Sequence, residues 1–209
     1  SLDAYLKKNN VVSITGVDTR ALVEHIRQKG AMNCIISSET TDIEALKKQL
    51  DAVPDMNGLE LASRVSTTTP YVMGEDTGLR IAVMDYGVKK NILQCMVDRG
   101  AQVKVFPAKT SLAEVEGYQP HGYFISNGPG DPAPMDYAIS TVRTLLEKNK
   151  PLFGICLGHQ LLALANGVST FKMHHGHRGL NHPVKNLVRS EEHTSELQSH
   201  LNLVCRLLL

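Results

Sequence analysis

The amino-acid sequence predicts an α/β protein with a doubly wound, mostly parallel sheet, preceded by a smaller α/β region. From residue 79 onward, short runs rich in Val, Ile and Phe alternate with segments of helical period. Near-continuous apolar strands that alternate with helices are typical of a parallel sheet covered on both faces. A length of 209 residues with 42% hydrophobic composition is sufficient for such a core.

The smaller region, 1–64, contains two segments of helical period with clear starting residues. Asp18 and Asp42 each precede one of them, in the N-cap position where a carboxylate accepts hydrogen bonds from the first turn. Gly30 ends the first helix. The predicted elements are a strand over 11–14, a helix over 19–29, a strand over 32–37 and a helix over 43–53.

A segment without periodicity, 65–78, is rich in Thr, Gly and Pro and is predicted to be a linker. The larger domain follows over 79–188, and 189–209 is set apart as a tail. Such sheets place their ligand sites at the carboxyl ends of the strands, where the loops 127–132 and 155–159 fall. The predicted strands of this domain are 80–87, 102–106, 122–126 and 151–155, and its predicted helices are 88–100, 111–118, 135–149 and 159–167.

The loop after the last predicted strand has the form of a nucleophile elbow, Gly-x-Cys-x-Gly, over 154–158. A tight strand-to-helix turn would expose the sulfur of Cys156 beside the positive end of the next helix, where the thiolate is favoured. The backbone N–H of Leu157 would point to a developing oxyanion. A buried structural cysteine is the alternative for a lone Cys, and the glycine pair in its strand–turn–helix context favours the nucleophile.

The other loop, Asn-Gly-Pro-Gly-Asp-Pro over 127–132, is predicted to supply a second oxyanion donor. Gly128 and Gly130 flank a proline, and residues without side chains let backbone N–H groups approach a substrate closely. Taken by itself, this loop is also compatible with an ordinary turn.

Composition excludes several classes of function. Lys and Arg number 22 and Asp and Glu 21, so charge gives no reason to expect nucleic acid or an anionic membrane as a partner. The four cysteines are widely spaced, which excludes a disulfide framework and fits a reducing compartment. No apolar run is long enough to span a bilayer. We therefore expect a cytoplasmic protein.

Two long motifs, FISNGPGDP (124–132) and FGICLGHQLLALA (153–165), resemble the class I glutamine amidotransferases, which have a flavodoxin-like fold. The resemblance extends from residue 1 to about Leu187 and makes 1–64 the remnant of an N-terminal domain whose beginning is absent. The segments most similar to the small, glutamine-hydrolysing subunit of bacterial carbamoyl-phosphate synthase are GVDTRALVEHIRQKGAMN (16–33), MDYGVKKNIL (84–93), NGPGDPAPMDYAI (127–139) and GHRGLNHPVK (176–185).

This resemblance implies that L-glutamine is hydrolysed through a cysteine thioester. It further implies that the ammonia passes to an ATP-dependent large subunit, which makes carbamoyl phosphate for arginine and pyrimidine synthesis. Cys156 matches the nucleophile, Gly130 and Leu157 the oxyanion hole, and Gly128, Gly130, Leu157 and Gln160 the glutamine-binding positions. No cofactor is expected in this chain, because no nucleotide motif is visible and the family assigns ATP and Mg to the large subunit.

The sequence departs from the family where the general base should be. None of the nine histidines is followed by Glu at the second position, so the family's His-x-Glu is absent, as is its Ser-Gln-Asn-His-Gly segment. The tail 189–209 has no counterpart that we recognise. It is compatible with an amphipathic helix capped by Ser190, but unrelated sequence joined to a truncated frame is the favoured interpretation.

No local histidine is a convincing substitute. His159 starts the helix after Cys156, where a side chain more often packs or caps than acts as a base. The cluster His174, His175 and His177 lacks a fourth ligand at a recognised spacing, so no metal site is predicted. We expect a severely impaired glutaminase subunit. A non-catalytic module that only binds the large subunit and another class I amidotransferase remain alternatives.

Overall fold

The computed structural model describes residues 1–174 and residue 176, together with the backbone of 183–186 and 191–194. The chain forms two compact units. We call Met56–Phe171 the sheet unit, and Ser1–Asp55 with Lys172–Leu209 the terminal unit. Each is described by itself.

The sheet unit contains five strands in the spatial order β1-β3-β2-β4-β5. Strand β1 pairs antiparallel with β3, and all other pairs are parallel. The chain therefore moves from β2 to one side and then crosses to the other, so that the carboxyl ends of β2 and β4 meet at a switch point. In chain order the elements are α4 (Ala62–Val65), β1 (Tyr71–Met73), β2 (Arg80–Asp85), α5 (Lys90–Val97), β3 (Gln102–Pro107), α6 (Leu112–Gly117), β4 (Gly122–Ile125), α7 (Asp136–Glu147), β5 (Leu152–Gly154) and α8 (Leu157–Ala165).

Both faces of this sheet are covered, because successive side chains of a strand point to opposite sides. Ala82 and Met84 of β2 belong to the core cluster that includes residues of α6, α7 and α8. Val83, between them, belongs to a second cluster that contains Leu93 of α5. The predicted doubly wound, mostly parallel α/β sheet is confirmed, and each strand and helix predicted within 80–167 is present.

The four-part domain division stays a prediction. The observed grouping assigns 56–64 to the sheet unit. Within the segment 65–78, Tyr71–Met73 forms the edge strand β1, with Val72 opposite Lys104. Strand β1 has only three residues and pairs with β3, which lies far away in the chain. A strand this short shows no visible periodicity, so the sequence of this segment resembles a linker.

The terminal unit begins with three helices, α1 (Leu2–Lys8), α2 (Thr19–Lys29) and α3 (Ile43–Asp51). Both predicted N-caps are confirmed: the Asp18 carboxylate accepts from the N–H of Ala21 at 3.0 Å, and that of Asp42 from Glu44 at 3.0 Å. None of the three helices has a buried residue.

The predicted strands over 11–14 and 32–37 are wrong. A strand exists only when it pairs with a neighbour, and the described part of the chain offers these two segments no such partner. Strands β6 (Pro183–Asn186) and β7 (Glu191–Thr194) form an antiparallel pair. A continuous helix through the tail is therefore wrong at 191–194, where the backbone pairs across to β6 instead of within the segment. Among the described residues, no helix combines the length and the apolar composition that a bilayer span requires.

Candidate active site

The loop between β5 and α8 places Cys156 in a strained backbone conformation. Gly154 ends β5 and Leu157 begins α8, so Cys156 is the N-cap of the helix, with φ 52° and ψ −110°. Positive φ is rare for a residue with a side chain and costs free energy unless the surroundings enforce it. The thiol-bearing residue is exposed. This is the geometry of a nucleophile elbow.

The two glycines of the elbow allow α8 to start directly on the sheet. A Cβ on Gly154 would lie 2.6 Å from the carbonyl of Gly158 and 2.7 Å from Leu162 Cδ1. A Cβ on Gly158 would overlap the carbonyl oxygen of Ile125, at the end of β4. Any larger residue at either position would force the helix away from the strands and move Cys156 with it.

The first turn of α8 presents an N–H group that no residue in the described ranges accepts. Leu157 is the first helical residue, and the first N–H groups of a helix have no partner within it. In this turn the N–H of Gly158 binds the Ile155 carbonyl at 2.9 Å, and the N–H of Gln160 binds the Cys156 carbonyl at 3.0 Å. The N–H of Leu157 thus adds a hydrogen-bond donor to the positive end of the helix, beside the thiol. The Gln160 residue is exposed in the same turn.

The loop 127–132 contacts the elbow through Gly128. A Cβ on Gly128 would overlap the Tyr86 carbonyl oxygen and lie 2.9 Å from Leu157 Cδ2. The absence of a side chain therefore brings the ends of β2 and β4 against the start of α8. The structure brings Gly128, Leu157 and, by chain connectivity, Cys156 together.

Gly130 lies further along this loop, at φ 98°, and pairs with Glu60 in an isolated antiparallel bridge. The hydrogen bond of this bridge is donated by Asp131, whose N–H binds the Leu59 carbonyl at 2.9 Å. The N–H of Gly130 is not used there and has no acceptor among the residues the structure describes. The Gly130 N–H is therefore a second donor, available for a hydrogen bond to a ligand. Among the described residues, no hydrogen bond joins Gly130 or the Gln160 side chain directly to Cys156.

Three polar side chains at the same sheet edge were missed by the sequence reasoning. The buried Asp85 carboxylate accepts N–H bonds from Thr67 at 2.7 Å and from Gly87 and Val88 at 2.9 Å. Such charge-assisted bonds fix the loop after β2. The signal that marks Asp85 is its position at the end of the apolar run of β2.

The other two, Ser126 and Asn127, join the loops after β2 and β4. The buried Ser126 hydroxyl accepts from the N–H of Tyr86 and donates to the carbonyl of Asn127, each at 2.8 Å. The Asn127 amide donates to the Gly87 carbonyl at 2.9 Å. These bonds hold Gly128 at the close approach that its missing side chain permits. Both residues follow a buried strand, the same signal as for Asp85.

Tyr86 follows β2 directly and has a buried hydroxyl without a partner in the described part of the chain. Burial raises the pKa of its phenol, so the group stays neutral. Its ring contacts the Tyr137 ring edge-on, with centroids 6.3 Å apart.

The sheet unit contains two histidines, and neither is bonded to the Cys156 sulfur. His121 precedes β4, at the amino ends of the strands, and its Nδ1 accepts the N–H of Arg80 at 3.1 Å. It therefore lies at the edge of the sheet opposite the elbow. His159 is partly buried in the first turn of α8, three positions after Cys156. His174 is exposed in the terminal unit, and the predicted cluster partners His175 and His177 lie outside the described residues.

Two family profiles match the sequence. Glutamine amidotransferase class-I matches residues 82–205, and the CPSase domain of the carbamoyl-phosphate synthase small chain matches residues 1–36. The first range extends into the tail 189–209, for which the sequence alone indicates no counterpart in the family. Apart from the backbone of Glu191–Thr194, that segment lies outside the described residues.

Curated proteins named carbamoyl phosphate synthase small chain are similar over 90% of this chain. That of Chlorobaculum tepidum is 50% identical over 191 residues, which are 52% of its length. Those of Pseudomonas syringae pv. tomato and Salmonella typhimurium are 47% and 46% identical, and the matches cover 54% of each. The chain spans about half the length of these relatives. The predicted resemblance is confirmed, and since the class I profile matches more than half of the sequence, the chain belongs to the class I glutamine amidotransferase family.

Proposed function

We propose that this chain carries the glutamine-activating chemistry of a carbamoyl-phosphate synthase small subunit, with Cys156 as nucleophile and L-glutamine as substrate. The observation that carries the proposal is the elbow: an exposed thiol at positive φ, directly before a helix whose first N–H is unused by the surrounding described residues. Strain of this kind concentrates where a function requires it.

In the proposed reaction, the Cys156 thiolate attacks the γ-carboxamide carbon of glutamine. A sulfur–carbon bond forms, and the carbonyl oxygen becomes an oxyanion that the N–H groups of Leu157 and Gly130 stabilise. The amide nitrogen then takes a proton, the carbon–nitrogen bond breaks, and ammonia leaves a thioester. Attack of water on the thioester releases glutamate and restores the thiol. Gly128 and Gln160 are proposed to contact the bound glutamine beside the elbow.

The proton transfers of this reaction lack an evident general base among the described residues. The thiol must lose a proton, the leaving ammonia must gain one, and the attacking water must be activated. The sheet unit offers only His159 near the nucleophile, and no hydrogen bond joins the two side chains among the described residues. We therefore propose that the thiol step is retained while turnover is severely impaired, by roughly a thousand-fold or more relative to a complete catalytic set.

The match of residues 1–36 to the CPSase domain supports a large-subunit partner. We propose that this subunit receives the ammonia and uses ATP and Mg, that the present chain holds no cofactor of its own, and that it acts in the cytoplasm. The same match supports a second candidate, a non-catalytic module that only binds the large subunit, and disfavours another class I amidotransferase.

The proposal is tested by alkylation with a glutamine chloroketone, in which a chloromethyl ketone replaces the γ-carboxamide. The Cys156 sulfur bonds to the methylene carbon and chloride leaves. We expect a single adduct, located at Cys156 by peptide mass spectrometry and suppressed by added L-glutamine. Cys34 and Cys95 are also exposed and serve as internal controls, because iodoacetamide should alkylate all three thiols. The variant Cys156→Ser should form no adduct with the chloroketone.

Equal labelling of the three exposed thiols by the chloroketone, or no protection by glutamine, would overturn the substrate assignment and leave only the binding module. Glutaminase turnover should be measured in parallel, as ammonia released from L-glutamine. Turnover near that of a complete small subunit would contradict the proposed impairment and direct attention to His159.

A further inference from the structure

A short segment that precedes α4 lies against the loop that carries the second oxyanion donor. Glu60 pairs with Gly130 in the antiparallel bridge, and the N–H of Asp131 binds the Leu59 carbonyl at 2.9 Å. In the other direction, the N–H of Gly58 binds Asp131 Oδ2 at 2.8 Å. Three consecutive residues, 58–60, therefore hold two consecutive residues of the loop.

The backbone of this segment packs so closely against Gly130 that it leaves no space for a side chain there. A Cβ on Gly130 would lie 2.7 Å from the Leu59 carbonyl oxygen and 2.9 Å from the Leu61 nitrogen. Because the segment uses the N–H of Asp131 and not that of Gly130, its position decides where the unused N–H of Gly130 is held. Glycine at positive φ has little conformational preference of its own, so neighbouring bonds must supply the restraint.

The Glu60 side chain is the anchor of this segment. Its Oε1 accepts the N–H of Ser63 at 2.8 Å and the hydroxyl of Tyr137 at 2.9 Å, and its Oε2 accepts the Ser63 hydroxyl at 2.5 Å. Tyr137 lies in the first turn of α7, the helix that follows the loop. The Lys109 ammonium lies 5.6 Å from the Tyr137 ring centroid. Glu60 thereby ties its own segment to the element at the far end of the loop.

The charge state of Glu60 agrees with this role. Burial by itself would raise the pKa of the carboxyl, but the hydrogen bonds from Ser63 and Tyr137 and the nearby Lys109 charge outweigh it, so the pKa is lowered. For Tyr137, burial and the bond to Glu60 both raise the pKa of the phenol. Glu60 is therefore an ionised acceptor and Tyr137 a neutral donor, the combination that makes a strong hydrogen bond.

We propose that Glu60 is a positioning residue of the glutamine-activating site: through the 58–60 segment and Tyr137, it holds the Gly130 N–H where the oxyanion forms. The inference rests on the function proposed above. An oxyanion donor contributes most when it is held in place before charge develops. Loss of the anchor should therefore slow reactions that pass through an oxyanion and leave other reactions of the same thiol unchanged.

The test compares two electrophiles on Cys156 in the full chain. The glutamine chloroketone reacts in two steps: the sulfur adds to the ketone carbonyl, whose oxygen becomes an oxyanion, and then bonds to the methylene carbon as chloride leaves and the carbonyl re-forms. Iodoacetamide, whose amide carbonyl resists addition, is displaced directly at its methylene carbon. In Glu60→Ala we expect the maximal inactivation rate with the chloroketone to fall by roughly ten-fold or more, part of the 10²–10³ lost when an oxyanion donor is removed. The half-saturating concentration of the chloroketone and the iodoacetamide rate should change less than about two-fold.

Two further variants make the test specific. Glu60→Gln keeps a carbonyl acceptor in place and should restore part of the lost rate. Glu147→Ala removes an exposed carboxylate from the far end of α7 and should react as the unmodified chain does. If Glu60→Ala does not fold, Tyr137→Phe decides the question, because it removes one hydrogen bond and keeps the ring. It should show the same selective loss to a smaller degree.

An unchanged chloroketone rate in folded Glu60→Ala, or an equal loss with both electrophiles, would overturn the positioning role while the proposed function stands. If the unmodified chain itself shows no selective, glutamine-protected labelling of Cys156, the proposed function fails, and the positioning role fails with it. Selective loss in Glu60→Ala with partial rescue in Glu60→Gln supports both.

Discussion

Helices α2 and α3 of the terminal unit and α7 and α8 of the sheet unit differ in what holds them. The first two are capped by the carboxylates of Asp18 and Asp42, and neither buries a residue. The other two have no side-chain cap, yet α7 buries three residues and α8 buries five. Of these four helices, the two in the terminal unit are held at their starts by side-chain caps, and the two in the sheet unit are held by packing.

The difference has a physical basis in the cost of starting a helix. Isolated helices of about a dozen residues are marginal in water, and in proteins tertiary packing supplies most of their stability. Helix α8 follows an N-cap residue, Cys156, that has positive φ and makes no side-chain capping bond, an unfavourable start that burial of Leu161 and Leu162 offsets. The strained Cys156 is therefore maintained by the packing of α8 on the core, which the elbow glycines permit, and not by a helix cap.

The largest expected effect comes from removing part of that core. Leu161 is fully buried on α8, and Leu161→Ala should lower the free energy of unfolding by about 2–5 kcal/mol. Leu22 on α2 is 51% exposed, and Leu22→Ala should change it by less than about 0.5 kcal/mol. Urea denaturation followed by near-UV circular dichroism measures this, because every tyrosine except Tyr5 lies in the sheet unit and the chain has no Trp. Equal effects of the two substitutions on this transition would mean that Leu22 belongs to the same cooperatively unfolding unit as Leu161.

The same distinction explains how much of the fold could be predicted. The strands and helices within 80–167 could be predicted, because their buried residues form apolar runs in the strands and recur with helical period in the helices. The segments 11–14 and 32–37 have the composition of strands but no pairing neighbour in the described residues. Strand β1 has a neighbour but no clear pattern. Whether a segment forms a strand depends on a second, distant segment that pairs with it. The absence of strands at 11–14 and 32–37 and the presence of β1 therefore could not be predicted from these segments alone.

The candidate site divides in the same way. The elbow glycines and the loop 127–132 could be identified because close backbone approach requires glycine at particular positions. Glu60 and Tyr137 could not, because their hydrogen bond joins residues 77 positions apart. A lone Glu between two leucines has the same local sequence whether it anchors a loop or faces solvent.

The close backbone contact between α8 and β4 provides the next test, and its loss should have an intermediate effect on the free energy of unfolding. Gly158→Ala places a methyl group on the carbonyl oxygen of Ile125, and overpacking of this kind should cost about 1–3 kcal/mol of unfolding free energy and displace the elbow. At Gly117 in α6, no atom lies within 4 Å of the position that an added methyl group would take, and Gly117→Ala should be neutral or stabilise the unit by up to about 1 kcal/mol. A tolerated Gly158→Ala would show that α8 can shift away from β4 without loss of the fold.

The smallest expected effects concern the helix caps, and they distinguish the two units most directly. Asp42→Ala removes two N–H bonds from the start of α3, and Ser111→Ala removes one from α6, each at a cost of about 0.5–2 kcal/mol to its helix. In the sheet unit, α6 contributes Val115 to the core, so Ser111→Ala should lower the urea midpoint of the tyrosine signal. In the terminal unit, Asp42→Ala should instead speed amide hydrogen exchange within α3 and leave that midpoint unchanged. If both variants lower the midpoint, the two units do not unfold independently. The cap of α3 lies in the terminal unit and can alter the sheet unit's transition only if the two units unfold together.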